Sequence, residues 1–108
     1  MEQDSRCGHA TRCMKLIGRE ILDTFAKRHA NCLKPLRSWV SIVEEANWAS
    51  FQDIKNRFRS ADVLSGNRVI FDIKGNDYRL VTVVAYRQGL MKVLWIGTHA
   101  EYSKKNWG

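Results

Sequence analysis

The sequence predicts an α+β fold in which N-terminal helices pack on a small, mainly antiparallel β-sheet. Between positions 19 and 58, apolar residues recur every three or four residues, as in helices with one buried face. From residue 68 the period changes to two, and three runs rich in Val, Ile, Phe, Tyr and Trp are separated by turn residues. These runs indicate two consecutive hairpins.

Two helices are predicted in the first half of the chain, after a short edge strand at 14–17. Proline disfavours a helical residue before it and suits the start of a helix, so the segment 31–35 should separate them. The apolar face of the first helix comprises Ile21, Leu22, Phe25, Ala26 and His29. That of the second comprises Leu36, Trp39, Val40, Val43 and Ala46.

A third, shorter helix is predicted after Ser50, a suitable N-cap residue with Asp53 as a capping-box partner. Its buried side would carry Phe51, Ile54 and Phe58, and its other face Lys55, Arg57 and Arg59. Those three cations have two interpretations: an ordinary solvated surface, or a patch that contacts phosphates.

The three strands are predicted at 68–74, 78–86 and 91–98, after a loop at 60–66. Two-residue turns at 75–76 and 88–89 would place Asp72 opposite Arg79 and Val84 opposite Val93. The same register places Arg79 opposite Thr98 and His99 opposite Tyr78. A change of one residue in either loop would shift this pairing.

This register gathers Arg79, Thr98 and His99 at one end of the sheet, with Asn76 in the adjoining turn and Tyr102 just beyond. Each residue also has a purely structural interpretation. Arg79 can be the cross-strand ion-pair partner of Asp72, which is worth at most about 1 kcal/mol at a surface. Arg68 can cap the sheet edge, Asn76 can serve turn geometry, and His99 and Tyr102 can be terminal packing residues. The convergence of these groups favours a functional site.

Charge indicates an anionic partner. The 108 residues contain 18 Lys and Arg against 11 Asp and Glu, a net charge of +7. Acidic and basic residues balance within positions 1–13, so the excess lies in the part expected to fold. Nucleic acid, a ribosome or an acidic protein would each suit this surface. No run of eighteen apolar residues occurs and the first thirteen residues lack a signal-like apolar stretch, so we expect a cytoplasmic protein without a membrane partner.

The cysteines give little support for a disulfide scaffold or a metal site. Cys7, Cys13 and Cys32 cannot all pair within one chain. Cys7, His9 and Cys13 do not match the ligand spacing of a tetrahedral zinc site. We expect residues 1–13 to be a disordered leader, with Met14 as a candidate natural start, and residues 14–108 to form a single domain.

Three motifs carry a resemblance to a known family. They are N-R-x-x-F from Asn67, N-x-x-R from Asn76, and T-H-x-E-Y from Thr98. In this order, behind two helices, they resemble the HigB group of RelE-like toxins from bacterial toxin-antitoxin pairs, over Met14 to about Trp107. The resemblance implies a RelE-like fold and a ribosome-dependent mRNA endonuclease that needs no metal or cofactor. It also implies a cognate helix-turn-helix antitoxin of the HigA type, through which operator DNA would be an indirect partner.

RNA cleavage without a metal needs three kinds of group: one that takes the 2′-hydroxyl proton, one that stabilises the phosphorane, and one that protonates the leaving oxygen. The catalytic candidates are Arg68, Arg79, His99 and Tyr102. His99 suits proton transfer, and the two arginines suit the non-bridging oxygens. The RNA-binding candidates are Lys55, Arg57, Arg59, Lys74, Asn76, Lys104 and Lys105, and Glu101 is an accessory candidate.

Two other classes remain open. In a non-catalytic RNA- or ribosome-binding module, the four tryptophans Trp39, Trp48, Trp95 and Trp107 would offer stacking surfaces, although we expect Trp39 and Trp95 in the core. A purely structural protein would instead use its charge to meet an acidic partner, and would show no affinity for RNA.

Overall fold

The structure, a computed structural model, describes residues 14–105. The elements are β1 (Lys15–Ile17), α1 (Arg19–Arg28), α2 (Leu33–Glu45), α3 (Phe51–Arg57), β2 (Asp62–Leu64), β3 (Arg68–Ile73), β4 (Tyr78–Ala85), β5 (Leu90–Thr98) and α4 (His99–Lys104). A single 3-10 turn, Ala30–Cys32, joins α1 to α2. This arrangement confirms the predicted α+β class and is compatible with a RelE-like fold. The leader predicted at residues 1–13 lies outside the described residues.

The sheet has the strand order β1-β5-β4-β3-β2. All neighbours are antiparallel except β1 and β5, which run parallel. The edge strand expected at 14–17 is confirmed as β1. The expectation of a loop throughout 60–66 was wrong, because β2 pairs with β3 there, with Val63 opposite Val69. Its three residues include two exposed ones, and this is too short to produce an alternating pattern.

The helices begin where backbone geometry allows. Gly18, the residue before α1, has φ +92° and lies so close to β5 that a Cβ there would be 3.0 Å from the carbonyl oxygen of Val93. Glycine is therefore suited to this position on two counts. α2 begins at Leu33, two residues before Pro35. A proline in the first turn is tolerated because N–H groups there have no partner within the helix.

The core lies between the helices and one face of the sheet. Trp39 of α2 packs edge-on against Phe71 of β3, with ring centroids 5.2 Å apart. Phe58 meets the same ring at 5.1 Å. Trp39 is 2% exposed, which confirms its predicted place in the core. The other face of the sheet carries Asp72 and Arg79, which are opposite each other in the register.

The first hairpin has the predicted register and the second does not. Asp72 lies opposite Arg79 as expected. In the second hairpin Val84 pairs with Met91 rather than with Val93, because four residues, 86–89, connect the strands instead of two. Gly89, with φ +68°, closes this loop.

A β-bulge partly offsets the longer loop. It lies between Val81 and Thr82, which pair with Trp95 and Val93, so β5 has one additional residue between the two pairs. Arg79 consequently pairs with Gly97 and Tyr78 with Thr98, one residue from the expected partners. His99 does not pair with Tyr78. It follows the strand as the first residue of α4.

Candidate active site

A short helix places His99 and Tyr102. The hydroxyl of Thr98 accepts a hydrogen bond from the backbone N–H of Glu101 at 3.1 Å, and the Thr98 N–H donates to Glu101 Oε1 at 2.9 Å. This capping box starts α4. Residues three apart on a helix are neighbours, so His99 and Tyr102 lie on one side of it. We did not predict this helix, although its T-x-x-E start signal is present in the sequence.

The capping box also acts on the charge of Glu101. The hydrogen bond from the Thr98 backbone lowers the pKa of the Glu101 carboxyl below its ordinary value, and the nearby charges of His29 and Arg28 act in the same direction. The carboxylate is thereby kept ionised while it stabilises α4. Its role in the structure is to fix the helix that carries His99 and Tyr102.

Arg79 is the centre of the site. Its Nη2 lies 3.1 Å from His99 Nε2, and its Cζ lies 4.8 Å above the ring of Tyr102. Its Nε forms an ion pair with Asp72 Oδ1 at 3.1 Å. The structure therefore brings together Arg79, His99 and Tyr102, three of the four residues predicted to be catalytic. We call these three residues the Arg79 cluster.

The contact between Arg79 and His99 defines their donor and acceptor roles. A guanidinium can only donate hydrogen bonds, so we assign the acceptor role to His99 Nε2 and place the proton of the neutral ring on Nδ1. His99 is exposed, whereas the side chains of Arg79 and Asp72 are only 21% and 14% exposed. The arginine is thus held by a largely buried carboxylate, and the imidazole of His99 is accessible to solvent.

Trp95 belongs to this site and not to the core. It is half-buried, and its ring centroid lies 6.2 Å from that of Tyr102. Lys105 Nζ lies 5.6 Å from the same indole ring. Gly97 makes this position possible, since a Cβ there would lie 2.5 Å from two carbons of the Trp95 ring. From the sequence, neither the place of Trp95 in this site nor the role of Gly97 was predicted. An aromatic residue in a strand usually indicates burial in the core.

Arg68 does not join the Arg79 cluster. It pairs with Val83, whereas Arg79 pairs with Asp72, and four residues along a strand span about 13 Å. Arg68 Nε donates instead to the carbonyl oxygen of Ser65 at 3.0 Å. The expectation that both arginines hold one phosphate is not supported by this spacing, although both side chains lie on the same face of the sheet.

The predicted RNA contacts fall into two groups. Lys74 and Asn76 lie in the turn beside His99, whose N–H donates to the Asp77 carbonyl at 3.2 Å, and Lys104 and Lys105 lie at the end of α4. By contrast, Lys55 donates to the carbonyl of Ala61, just before β2 at the far edge of the sheet. Arg57 and Arg59 belong with Lys55. The structure therefore does not bring this second group to the Arg79 cluster.

The described part of the chain has neither a group of side chains suited to a metal ion nor a helix suited to span a membrane. Within residues 14–105, no set of three or more His, Cys, Asp and Glu side chains is arranged to hold a metal ion. No helix in that range is both long enough and apolar enough to cross a membrane. Cys7, His9 and Cys13 lie outside the described residues.

Comparison with known proteins supplies the family. The HigB_toxin family model, described as the RelE-like toxic component of a toxin-antitoxin system, matches residues 32–105, well over half of the chain. No curated protein matches the sequence. The matched region includes the first hairpin, the capping box and all three residues of the Arg79 cluster. The chain therefore belongs to the HigB family of RelE-like toxins.

Proposed function

We propose that this toxin is a ribosome-dependent endonuclease that cuts mRNA and so inhibits translation. Family membership makes it the toxic component of a toxin-antitoxin system and indicates an RNase-type activity in general. The observation that carries the finer proposal is the contact of Arg79 with both His99 and Tyr102 at an exposed end of the sheet. We place this activity in one domain, residues 14–108, acting in the cytoplasm.

In the proposed reaction the side chains of the Arg79 cluster act without a cofactor. The 2′-hydroxyl next to the scissile linkage attacks phosphorus, its proton passes to His99 Nε2, and a cyclic phosphate forms as the 5′ oxygen leaves. Negative charge on the non-bridging oxygens increases in the transition state, where a guanidinium stabilises it. Tyr102 can donate a proton to the leaving oxygen or stack on a neighbouring base.

Arg79 has to change partners during this reaction. In the free protein its Nη2 occupies Nε2 of His99, the atom that must accept the proton. A bound phosphate offers stronger, charge-assisted hydrogen bonds to the guanidinium. Binding of the substrate would therefore draw Nη2 onto the phosphate and release Nε2 at the same moment. Asp72 remains on Nε and limits how far the arginine moves.

Exposure of His99 is consistent with a dependence on the ribosome. His99 is exposed at the end of the sheet, so a flexible message has to be held in place there for its 2′-hydroxyl to meet Nε2. Holding two reactants in the correct orientation can supply much of a barrier. We propose that the ribosome provides this orientation, with the translated mRNA as the substrate.

The remaining cations would contact the RNA backbone on both sides of the cut. Lys74 and Asn76 flank the cluster on the turn, and Lys104 and Lys105 flank it on α4. We propose that Arg68, Lys55, Arg57 and Arg59 contact phosphates further along the message or the ribosome, because they lie away from His99. Because these contacts are made by cations to phosphates, the affinity for RNA should fall as the salt concentration rises.

The antitoxin partner follows from the family, and its type is a proposal. We propose a HigA-like antitoxin with a helix-turn-helix, which would bind operator DNA and so make DNA an indirect partner of the toxin. The basic surface suits an acidic region of such a protein. The toxin itself would not contact the operator.

The test is a map of RNA ends in cells. The chain is induced with and without the small open reading frame next to its gene, the candidate for the antitoxin. The 5′ ends of cellular messages are then sequenced. A reporter message is compared with a copy that lacks only its start codon. We expect new ends in the translated copy alone, and none when the antitoxin is present. Equal cutting of both copies would indicate a general ribonuclease, and RNA binding without any new ends would indicate a non-catalytic RNA-binding module.

A further inference from the structure

A second cleft opens next to the Arg79 cluster, on the other side of Trp95. Its volume is about 410 Å³, within the range of about 300–1,000 Å³ that is typical of small-ligand pockets. Residues from α1, β5 and α4 line it, among them Phe25, Arg28, His29, Trp95, Lys104 and Lys105. None of the residues from α1 was predicted from the sequence to be functional.

The cleft exists because β1 covers only part of β5. β1 pairs with Leu90, Met91 and Lys92, so it does not reach the later residues of that strand. Helices α1 and α4 flank this uncovered edge. The opening therefore follows from the sheet topology and does not depend on a loop.

The wall contributed by α1 is held in place by packing. The ring of His29 stacks on Phe25 with centroids 4.3 Å apart and a 25° angle between the planes. Tyr78 meets both rings edge-on and donates a hydrogen bond from its hydroxyl to Asn31 Oδ1 at 2.9 Å. His29 and Trp95 thus give the cleft two aromatic rings on different elements, which a flat base can use for stacking.

Charge in the cleft favours an anion. Arg28, Lys104 and Lys105 contribute three cations, and Glu101 is the acidic residue in the lining. Glu101 is already engaged, since its Oε1 accepts the hydrogen bond from the Thr98 backbone. The cations therefore exceed the acidic charge.

We propose that this cleft binds one nucleotide of the message, the next one beyond the two that the scissile linkage joins, with its base between Trp95 and His29 and its phosphate on Arg28 and Lys104. The proposal rests on the proposed RNA cleavage. The geometric reason is continuity: the Trp95 ring, which borders the cleft, is 6.2 Å from the Tyr102 ring, which covers Arg79. An RNA strand with its scissile phosphorus at Arg79 and the neighbouring base at Tyr102 therefore brings the next nucleotide to the cleft.

The test measures the affinity of short RNAs that cannot be cut. A dinucleotide with a 2′-methoxy group at the reacting position is compared by fluorescence anisotropy with trinucleotides extended at the 5′ or the 3′ end. One of the two extensions should raise affinity at least about fivefold, the lower end of what one stacked base contributes. Arg28→Gln combined with Lys104→Gln should remove this gain. Arg28→Gln alone changes no residue assigned to the cut itself, so it should lower the gain and leave the affinity for the dinucleotide within about twofold.

Lys27→Gln is the matched control, because Lys27 is an exposed cation on the same turn of α1 and does not line the cleft. It should preserve the gain.

Equal affinity for all three RNAs would overturn the proposal, as would a gain that survives the double substitution. Inorganic phosphate that competes as well as a nucleoside monophosphate would show a simple anion site, which also overturns it. Loss of antitoxin binding in the double variant, with unchanged RNA affinities, would reassign the cleft to the antitoxin.

The outcomes for this cleft and for the proposed function are separable. If the unmodified chain cuts no translated message, the proposed function fails, whatever the oligonucleotides show. If it cuts normally but the extended RNAs bind no better than the dinucleotide, only the cleft proposal fails.

Discussion

Asp72 and Arg79 face each other across the β3–β4 hairpin, with the carboxylate oxygen 3.1 Å from Nε of the guanidinium. From the sequence, this pair was an alternative to a catalytic role for Arg79. In the structure the ion pair is compatible with the catalytic role that we propose, because Asp72 Oδ1 lies against Nε while Nη2 lies 3.1 Å from His99 Nε2. The ion pair thus leaves Nη2 in contact with His99, the residue that we propose as the base.

The first prediction concerns Asp72 as a positioning residue. Asp72→Asn should lower cleavage of translated message about tenfold to a hundredfold, because misplacing a positioned group by about 1 Å can cost on the order of a hundredfold. Stability should fall by about 1–3 kcal/mol, since both side chains are largely buried and the guanidinium loses its charged partner. Cleavage rates in a translating extract and urea unfolding measure the two effects. Asp77→Asn, which removes the exposed pair with Lys74, is the control; equal cleavage by both variants would exclude a positioning role.

Replacement of either central residue of the Arg79 cluster should abolish toxicity. We expect Arg79→Ala and His99→Ala each to lower cleavage by about a hundredfold or more, as for loss of a charge-stabilising donor or a general base. Circular dichroism should show an unchanged fold, and growth after induction reports toxicity. Arg87→Ala, at an exposed loop position, should remain toxic. Full toxicity of both cluster variants would remove these residues from the mechanism.

The capping box should make stability depend on pH. The pKa of Glu101 is lowered in the folded chain from an ordinary value of 4.5. A carboxyl with a lowered pKa stabilises the fold above its unfolded pKa, and this contribution is lost as the pH falls through the folded pKa. The difference in unfolding free energy between the unmodified chain and Glu101→Gln should therefore be constant near neutral pH and shrink below about pH 4.5. A difference that grows on acidification would contradict this assignment.

Gly97 should matter more for activity than for stability. In Gly97→Ala the new methyl group would lie 2.5 Å from the outer carbons of the Trp95 ring and 2.8 Å from Glu101 Oε1, so both side chains have to move. We expect a clear loss of cleavage with only a small decrease in the urea midpoint, because the displaced atoms are the ends of two side chains and the contact with Glu101 weakens only the short helix α4. Gly66→Ala is the matched control. Its Cβ would meet nothing within 4 Å but its φ is +77°, so it should lose about 1 kcal/mol of stability and remain active. The reverse pattern would refute the role of Gly97.

Cys32 should be unreactive in the folded chain. Burial raises the pKa of its thiol from 9.0 to about 11, against a smaller opposing effect of Lys74. Near pH 8 this shift alone lowers the thiolate fraction about a hundredfold, and the thiolate is the reacting form. With Cys7 and Cys13 replaced by Ser, iodoacetamide should label Cys32 only after denaturation. Rapid labelling without denaturant would show that the site is accessible.

Local patterns in the sequence were sufficient for several features. The apolar spacing located α1, α2 and α3, and the short turn after β3 fixed the pairing of Asp72 with Arg79. The convergence of Arg79, His99 and Tyr102 was also predicted, because it needed only approximate strand ends. Each of these depends on neighbouring residues, for which helical or strand periodicity is informative.

The second hairpin shows where local patterns stop being sufficient. Its pairing depends on a four-residue loop closed by Gly89 and on a bulge opposite Val81, and each changes the register by whole residues. Neither the loop length nor the bulge can be recognised from the alternation of apolar residues in the sequence. The predicted proximity of Arg79 to His99 is confirmed although its strand partner is Gly97 and not Thr98, because the bulge partly cancels the extra loop residues.

By itself, then, the sequence determined the α+β class, the family and the three residues of the Arg79 cluster. Only the tertiary structure decided that Arg68 lies about 13 Å away along β3, that Trp95 faces Tyr102, and that α1 completes a cleft beside α4. The physical reason is that these last relationships join elements far apart in the chain. Such contacts are set by strand order and close packing, which no local spacing of residue types encodes.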